Sequence, residues 1–412
     1  MAEQLTAAVS LWLDGELVED VDDRLLLLEV DERAASASAF RLVLSMAPGD
    51  DGEWDLLRAD TRWSLLRRLT IGFRVQPPDE TTVTAERIVF DGYITIVAPT
   101  FGEQRVPESK LELRGLDASC LMHLEARHRT WRDQSDSAIV RQLFGDYGFG
   151  ADVDEQGPVR HEAVASMHQR GTDAEFMRQL ARRHGWECNV RPVEDAEIEA
   201  APHPGRGVVG HFHPPRVEDT QPLLTLAPAD APSLKTMSAR WDSHRPTRME
   251  AWHIDAFSRR MQHQSWPKDP PRPVIPKMGR FSRQDLLDSR LGELRGRLPT
   301  SSSSDGEPRT LQPRGFQARL VPHDNTEVDQ LAWADHLQSD WLAEAEATVQ
   351  GLRYDGIVQP GKSVPIAGGG ELVDGDWYVR SARHRWEAGQ ATQAYEIDLH
   401  LVRNALGEVE DG

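Results

Sequence analysis

Apolar and polar residues alternate along the first third of the chain. In AFRLVLSM, Phe40, Leu42, Leu44 and Met46 fall at every second position, the pattern of a strand with one face in a core and the other in water. SLWLDG, RLLLLEV, LTIGFRV, RIVFDGYITIVAP and KLELRGLD are similar short runs of β-formers, separated by Gly, Asp or Pro between residues 10 and 117. Six such strands in close succession predict a small antiparallel barrel, which leaves no exposed sheet edge. WDLLRADTRWSLLRRL, residues 54–69, breaks the pattern; its spacing predicts a helix plugging one end of the sheet.

The period then changes. Asp117 can cap a short helix over ASCLMHL. In DQSDSAIVRQLFGDYG, Ile139, Val140, Leu143, Phe144 and Tyr147 share one helical face, and Gly148 stops that helix. In GTDAEFMRQLARRHG, Thr172 and Glu175 are spaced as a capping box, Phe176, Leu180 and Ala181 form the apolar face, and Gly185 stands where a left-handed stop is needed. Trp186, Cys188 and Val190 follow with period two, so a strand begins at once.

Further on, Gly and Pro bracket a predicted hairpin with arms at 208–213 and 223–226. SLKTMSARWDS and RMEAWHIDAFS read as two long strands opening a second barrel. Residues 262–319 change texture to a Pro-rich basic stretch, a segment of helical spacing and a Ser run, which together read as an excursion outside that barrel. Lys268, Arg272, Lys277, Arg280 and Arg283 make this excursion a candidate docking patch for an acidic partner, a solvated loop being the alternative. Thr326 and Asp329 are placed to cap a helix whose stripe is Trp333, Leu337 and Trp341, and Glu344 and Glu346 read as its Ala-rich end. VQGLRYDGIVQPGKSVPIAG reads as strand, turn and strand. GDWYVRSARHRW and AYEIDLHLVRNAL form a closing hairpin with Tyr395, Ile397, Leu399 and Leu401 on one face.

Composition narrows the function more than it changes the fold. A formal net charge of −20 over 412 residues argues against sequence-independent nucleic-acid binding, which needs clustered cations. The N-terminus lacks a signal peptide's basic region and apolar core, and no apolar run is long enough to span a bilayer. Cys120 and Cys188 are the only cysteines; both sit in apolar periodic segments, as buried thiols in a reducing compartment do. His211 and His213 share a strand face with His203 nearby, so a metal is conceivable, but no third ligand lies at a recognised spacing and PP follows. They read as solvent-facing histidines at a hairpin. Asp133 and Asp136 precede a helix, where capping and dipole roles suffice. No nucleophile elbow, zincin, P-loop or dinucleotide motif is present, so the reading contains no catalytic set, cofactor or metal.

The segment matched by Thr172, Asp173, Glu175, Phe176, Leu180, Ala181 and Gly185 resembles the S/T-D-x-E-F-x-x-x-L-A-x-x-x-G stretch of the phage late control protein D family of baseplate hub proteins. The N-terminal half of VgrG-type spike proteins belongs to the same family. The resemblance extends through VFDGYITIVAP with Gly92, LELRGLD with Gly115 and Asp117, and the C-terminal hairpin with Trp377 and Asn404.

It implies an α+β, mostly β fold: two antiparallel barrel-like domains joined by a helix-containing segment. The expected boundaries are 1–117 for a tube-docking barrel, 118–205 for the α/β segment, 206–261 for the first strands of the second barrel, 262–322 for the insertion, 323–407 for the remaining helix and strands, and 408–412 for a tail. The implied role is a non-enzymatic homotrimeric adaptor between a sixfold inner tube and a threefold spike, in contact with baseplate wedge proteins. The chain ends just after the second barrel, which implies a spike on a separate polypeptide and no membrane insertion by the hub itself. Its expected location is the bacterial cytoplasm during assembly, then the assembled particle, whether phage tail, tailocin or injection device. The alternatives are a tail-associated cell-wall hydrolase and a carbohydrate-binding module.

Overall fold

The computed structural model describes residues 6–407 apart from 59–61, 77–85, 103–108, 156–166, 194–206, 228–230, 255–258, 267–274, 283–284, 286–313, 319–324, 389–393 and positions 20, 22, 50, 243 and 247. The strands in chain order are β1 (Thr6–Leu13), β2 (Glu16–Leu17), β3 (Leu25–Arg33), β4 (Ala39–Ser45), β5 (Arg68–Gln76), β6 (Arg87–Thr100), β7 (Lys110–Asp117), β8 (Ala126–Trp131), β9 (Gly150–Val153), β10 (Met167–Thr172), β11 (Glu187–Pro192) and β12 (Val208–His213). They continue with β13 (Leu224–Thr225), β14 (Leu234–Trp241), β15 (Arg248–Ile254), β16 (Met261–Trp266), β17 (Phe281–Ser282), β18 (Arg314–Ala318), β19 (Ala343–Gln350), β20 (Ser363–Ala367), β21 (Gly375–Glu387), β22 (Ala394–Arg403) and β23 (Ala405–Leu406). Among the described residues three α-helices, α1 (Asp136–Asp146), α2 (Asp173–His184) and α3 (Asn325–Ser339), complete the α+β, mostly β architecture.

The six predicted N-terminal strands are β1 and β3–β7. They belong to a 13-stranded sheet in the order β14-β19-β22-β21-β3-β4-β7-β6-β5-β1-β2, with β20 and β13 branching from β21. The two expected strand groups are therefore hydrogen-bonded into one sheet, through the antiparallel pair of β3 with β21. Among the described residues this path is open, with β14 and β2 at its ends. One continuous apolar core follows it, from Leu11, Leu42, Ile71 and Phe90 to Ala345, Trp377, Ile397 and Leu401. The closing hairpin forms as β21 and β22, with Tyr395, Ile397, Leu399 and Leu401 buried. A second core gathers around α1 and α2, and a third joins α3 to β15 and β16.

Two glycines show how tightly β6 and β7 cross. A Cβ on Gly92 would lie 2.2 Å from the Leu116 carbonyl oxygen, and one on Gly115 2.0 Å from the Tyr93 carbonyl oxygen and 2.4 Å from the Phe40 ring. Neither position has room for a side chain without moving a neighbouring strand.

Several expectations are corrected. The described part of residues 54–69 contains no helix: Trp54 bridges to Pro48, turns follow, Leu66 is left-handed at φ 62°, and Arg68 and Leu69 already pair in β5. Leu56 and Trp63 are buried without helical backbone, because the sheet supplies the apolar surface they cover. Residues 208–213 and 223–226 do not form a hairpin; β12 pairs with β11 and β9, whereas β13 lies parallel to β20. Of the two strands assigned to a second barrel, β14 joins the large sheet but β15 sits in a separate sheet between β16 and β18. Glu344 and Glu346 are on strand β19, whose burial alternates with Ala343, Ala345, Ala347 and Val349 inside. Helix α3 begins at Asn325, and the side chain of Thr326 lies outside the described residues, as does most of the segment of helical spacing at 284–298.

Candidate functional site

The motif residues fall into two groups, the first around α2 and its neighbours β10, β11 and the 3-10 turn that follows β7. Asp117 ends β7 and caps the following 3-10 turn by accepting from the Ser119 amide at 3.0 Å, while also accepting from the Ser38 amide. Burial pushes its carboxyl up to about 6, although both amides and the Ser119 hydroxyl oppose the rise. Thr172 and Glu175 form the capping box: the Glu175 amide donates to Thr172 Oγ1 at 3.3 Å, and the Thr172 amide to Glu175 Oε2 at 3.0 Å. Thr172→Ala is expected to lower stability by about 1 kcal/mol, read as a fall in the urea midpoint, while Thr172→Ser keeps most of it.

Asp173, the next motif residue, is fully buried and accepts from Tyr147 Oη at 2.7 Å and Gln169 Nε2 at 2.5 Å, with Arg127 Nη1 at 2.9 Å. It thereby ties α2 to the end of α1 and to strands β8 and β10. Phe176 and Leu180 bury in the same core, and Gly185 ends α2 at φ 67°. A Cβ there would lie 3.3 Å from the Ala334 backbone, which is how closely α2 approaches α3. His184, also fully buried, has Nε2 2.9 Å from Asp136 Oδ2, and Gln330 of α3 joins this contact. Ser135 is the N-cap of α1, so Asp136 acts as a buried histidine partner rather than as the cap. Asp133 holds a left-handed turn at φ 51° just before it.

At the other end of the motif set, Trp377 is fully buried and donates from Nε1 to the Val373 carbonyl at 2.8 Å. Asn404 accepts from the Met278 amide at 2.9 Å and donates to the Pro276 carbonyl at 2.9 Å. Beside it the buried Arg403 donates to the Met278 carbonyl at 2.9 Å and the Gly407 carbonyl at 2.6 Å. Together they anchor the segment carrying two residues of the basic patch. Lys277 is exposed, with Asp285 at 3.3 Å, and Arg280 is exposed with its guanidinium 5.1 Å from the Phe281 ring. Lys268, Arg272 and Arg283 lie outside the described residues.

A cleft of about 720 Å³ opens between the sheet and the helical segment, lined among others by Arg33, Glu187, Trp341, Glu346, Arg380 and Asp398. Its wall includes Glu187, whose Oε1 accepts from Tyr378 Oη at 2.8 Å. No sequence signal marks this cleft, because its walls come from β3, β11, β14, β19, β21 and β22.

The histidines at 211 and 213 are not solvent-facing residues of a hairpin. On β12, paired in parallel with β9, they meet Asp152: His211 Nδ1 is 3.2 Å and His213 Nε2 3.8 Å from Asp152 Oδ2. The three side chains form a cluster with one donor atom each within 4.8 Å of the others. Arg216 holds the same carboxylate through Nη1 at 2.7 Å and Nη2 at 2.9 Å and reaches Asp154 at 3.3 Å. Its hydrogen bond holds the Asp152 carboxyl down to about 2. Burial, then the Arg191 charge, pushes the His211 imidazole down to about 3, and burial also lowers His213. His203 lies outside the described residues. Asp152 was missed because 59 residues separate it from His211, and only strand pairing brings them together.

No family model matches the sequence, and no curated protein is detectably similar to it in sequence. Its fold does match solved structures from end to end. A 43 kDa tail protein of prophage MuSo2 from Shewanella oneidensis aligns over 97% of this chain and 99% of its own, with TM-score 0.57 and 14% identity. A tail protein from Neisseria meningitidis aligns over 97% and 98%, with the same TM-score and identity. A component of the E. coli type VI secretion system, described as similar to the T4 tail proteins gp27 and gp5, aligns over 98% of this chain and 78% of its own, with TM-score 0.51 and 10% identity. The chain has the fold of phage tail proteins and of VgrG-related hub proteins.

Proposed function

We propose that the chain is the structural hub of a contractile tail or injection device, a trimer joining a sixfold inner tube to a threefold spike. The observation that carries this reading is the end-to-end fold correspondence with prophage tail proteins, which covers both strand groups and the helical segment between them. A rotational assembly closes only where its surfaces match. Two strand groups per chain, side by side in one sheet, would give three copies six sheet faces to set against a sixfold tube. In this reading the strands within 1–117 take part in tube docking, and the α/β segment within 118–205 supports contacts between subunits or toward the spike. Docking of an acidic partner is assigned to the basic residues Lys268, Arg272, Lys277, Arg280 and Arg283, of which Lys277 and Arg280 are described and exposed. No bond-making is required of the protein. Among the described residues no helix is long and apolar enough to cross a membrane.

Native mass spectrometry of the purified chain at high concentration tests the stoichiometry: a trimer is expected, and a persistent monomer or a hexamer would overturn it. Electron microscopy of that trimer is expected to show a ring in which the two strand groups of each chain alternate at about 60° steps, the spacing that matching a sixfold tube requires.

A further inference from the structure

We infer that Asp152, His211 and His213 form a binding site for a divalent transition-metal ion of the zinc class, clipping β9 to β12. His211 and His213 lie two residues apart and so on one face of β12, and the parallel register sets His211 directly beside Asp152. Zinc bonds of about 2.0–2.1 Å to nitrogen and oxygen put neighbouring ligand atoms of a tetrahedron about 3.3 Å apart. The observed separations to Asp152 Oδ2 are 3.2 Å from His211 Nδ1 and 3.8 Å from His213 Nε2, and the three donor atoms lie within 4.8 Å of one another, so the ligands close inward on the ion. Two nitrogens and a carboxylate oxygen are the donor set such an ion takes, with a fourth position left for water.

The His213 tautomer is the second observation. Its Nδ1 lies 2.8 Å from the Pro214 carbonyl, an acceptor only, so Nδ1 carries the proton and donates. The Nε2 lone pair is thereby turned toward the Asp152 carboxylate, two acceptors facing each other in a side chain only 4% exposed. In the metal-free protein Arg216 Nη1, 2.7 Å from Asp152 Oδ2, is the cation that serves this oxygen, and the ion would take its place there. The Pro214 carbonyl is also the outer-shell acceptor that ligating histidines use to fix their orientation. His211 donates from Nδ1 to Asp152 in the metal-free protein; on binding it would take the Nε2–H tautomer, freeing Nδ1 as a ligand. Arg216 bonds both oxygens of Asp152, and with Asp154 beside it and the Arg191 charge acting on His211 these four groups sum to zero, so the ion meets no net positive charge. Arg216 can keep Oδ1 while the ion takes Oδ2.

The test uses the full chain, free of any affinity tag and stripped with a chelator, titrated with zinc chloride against a competing chromophoric chelator. One zinc per chain is expected. His211→Ala and His213→Ala should each weaken binding by at least about 100-fold, the upper end of what losing even an outer-shell partner costs. Arg216→Gln, which removes the competing cation, should bind as tightly as wild type or more so. Cobalt(II) should give the intense visible bands of a tetrahedral site. Alanine variants that bind like wild type, a stoichiometry near zero, or a cobalt spectrum no stronger than the aquo ion would each overturn the site. Should an alanine variant not fold, the wild-type cobalt spectrum decides.

Discussion

Glu32→Ala is expected to destabilise the protein by about 3–5 kcal/mol at pH 7, because it strips the partner from charged and polar groups buried at the seam of the large sheet. Glu32 on β3 is 5% exposed and takes Arg87 in a bidentate pair, Nη1 at 3.0 Å and Nη2 at 2.8 Å. His384 on β21, fully buried, contacts Glu32 Oε2 from Nε2 at 2.8 Å and Tyr395 Oη from Nδ1 at 2.8 Å. Burial pushes His384 below its ordinary value, so the chain of donors runs from Tyr395 O–H to His384 Nδ1, then from His384 Nε2–H to Glu32. Burial alone would raise the Glu32 carboxyl, but Arg87 and His384 outweigh it and hold the group below its ordinary 4.5.

The sign follows from that direction. The carboxylate's contribution is fully present above the unfolded value and is lost as pH falls through the lower folded one. The gap between wild type and Glu32→Ala, measured by urea unfolding, should hold from pH 7 to about 5 and narrow in stronger acid. Glu32→Gln, which keeps shape and loses charge, should fall between the two. A loss under about 1 kcal/mol for the alanine variant would mean that the seam relaxes around the orphaned Arg87.

That seam was not legible in the sequence, whereas much around it was. Caps and stops are local: Thr172, Glu175 and Gly185 act within one helix, and each takes the conformation its spacing predicts. Clean alternation, as in β4, survives because one face is buried. The alternating Ala and Glu at 343–347 satisfy a strand period equally well, but the good helix propensity of both residues hid it. Pairing with β14 and β22 settled the matter. In the same way the apolar residues of 54–69 match a helical face by spacing alone, while the sheet takes Leu56 and Trp63 as separate plugs. The joining of β3 to β21, and of Asp152 to His211, depends on contacts between distant segments that no local pattern encodes.

Glu187→Gln is expected to make the protein more stable at pH 8, by up to about 3 kcal/mol, and to change little at pH 4.5. Glu187 is 5% exposed on β11, and only one of its oxygens is hydrogen-bonded, to Tyr378; Arg191 stands 4.0 Å from the other. Burial outweighs the attraction of Arg191 and the Tyr378 hydrogen bond and raises the carboxyl from 4.5 to about 7. A raised carboxyl means that the folded protein keeps its proton where the unfolded chain has lost it. The contribution of this carboxyl to stability therefore declines as pH rises from about 4.5 to about 7, then levels off. Each pH unit of that interval is worth about 1.4 kcal/mol, which sets the ceiling on the gain. Glutamine removes this titration and still accepts from Tyr378, so the variant's advantage over the wild type should open between pH 4.5 and 7 while the groups both proteins share cancel from the difference. Parallel stability curves for the two proteins from pH 4.5 to 8 would show instead that Arg191 compensates the ionised carboxylate in full.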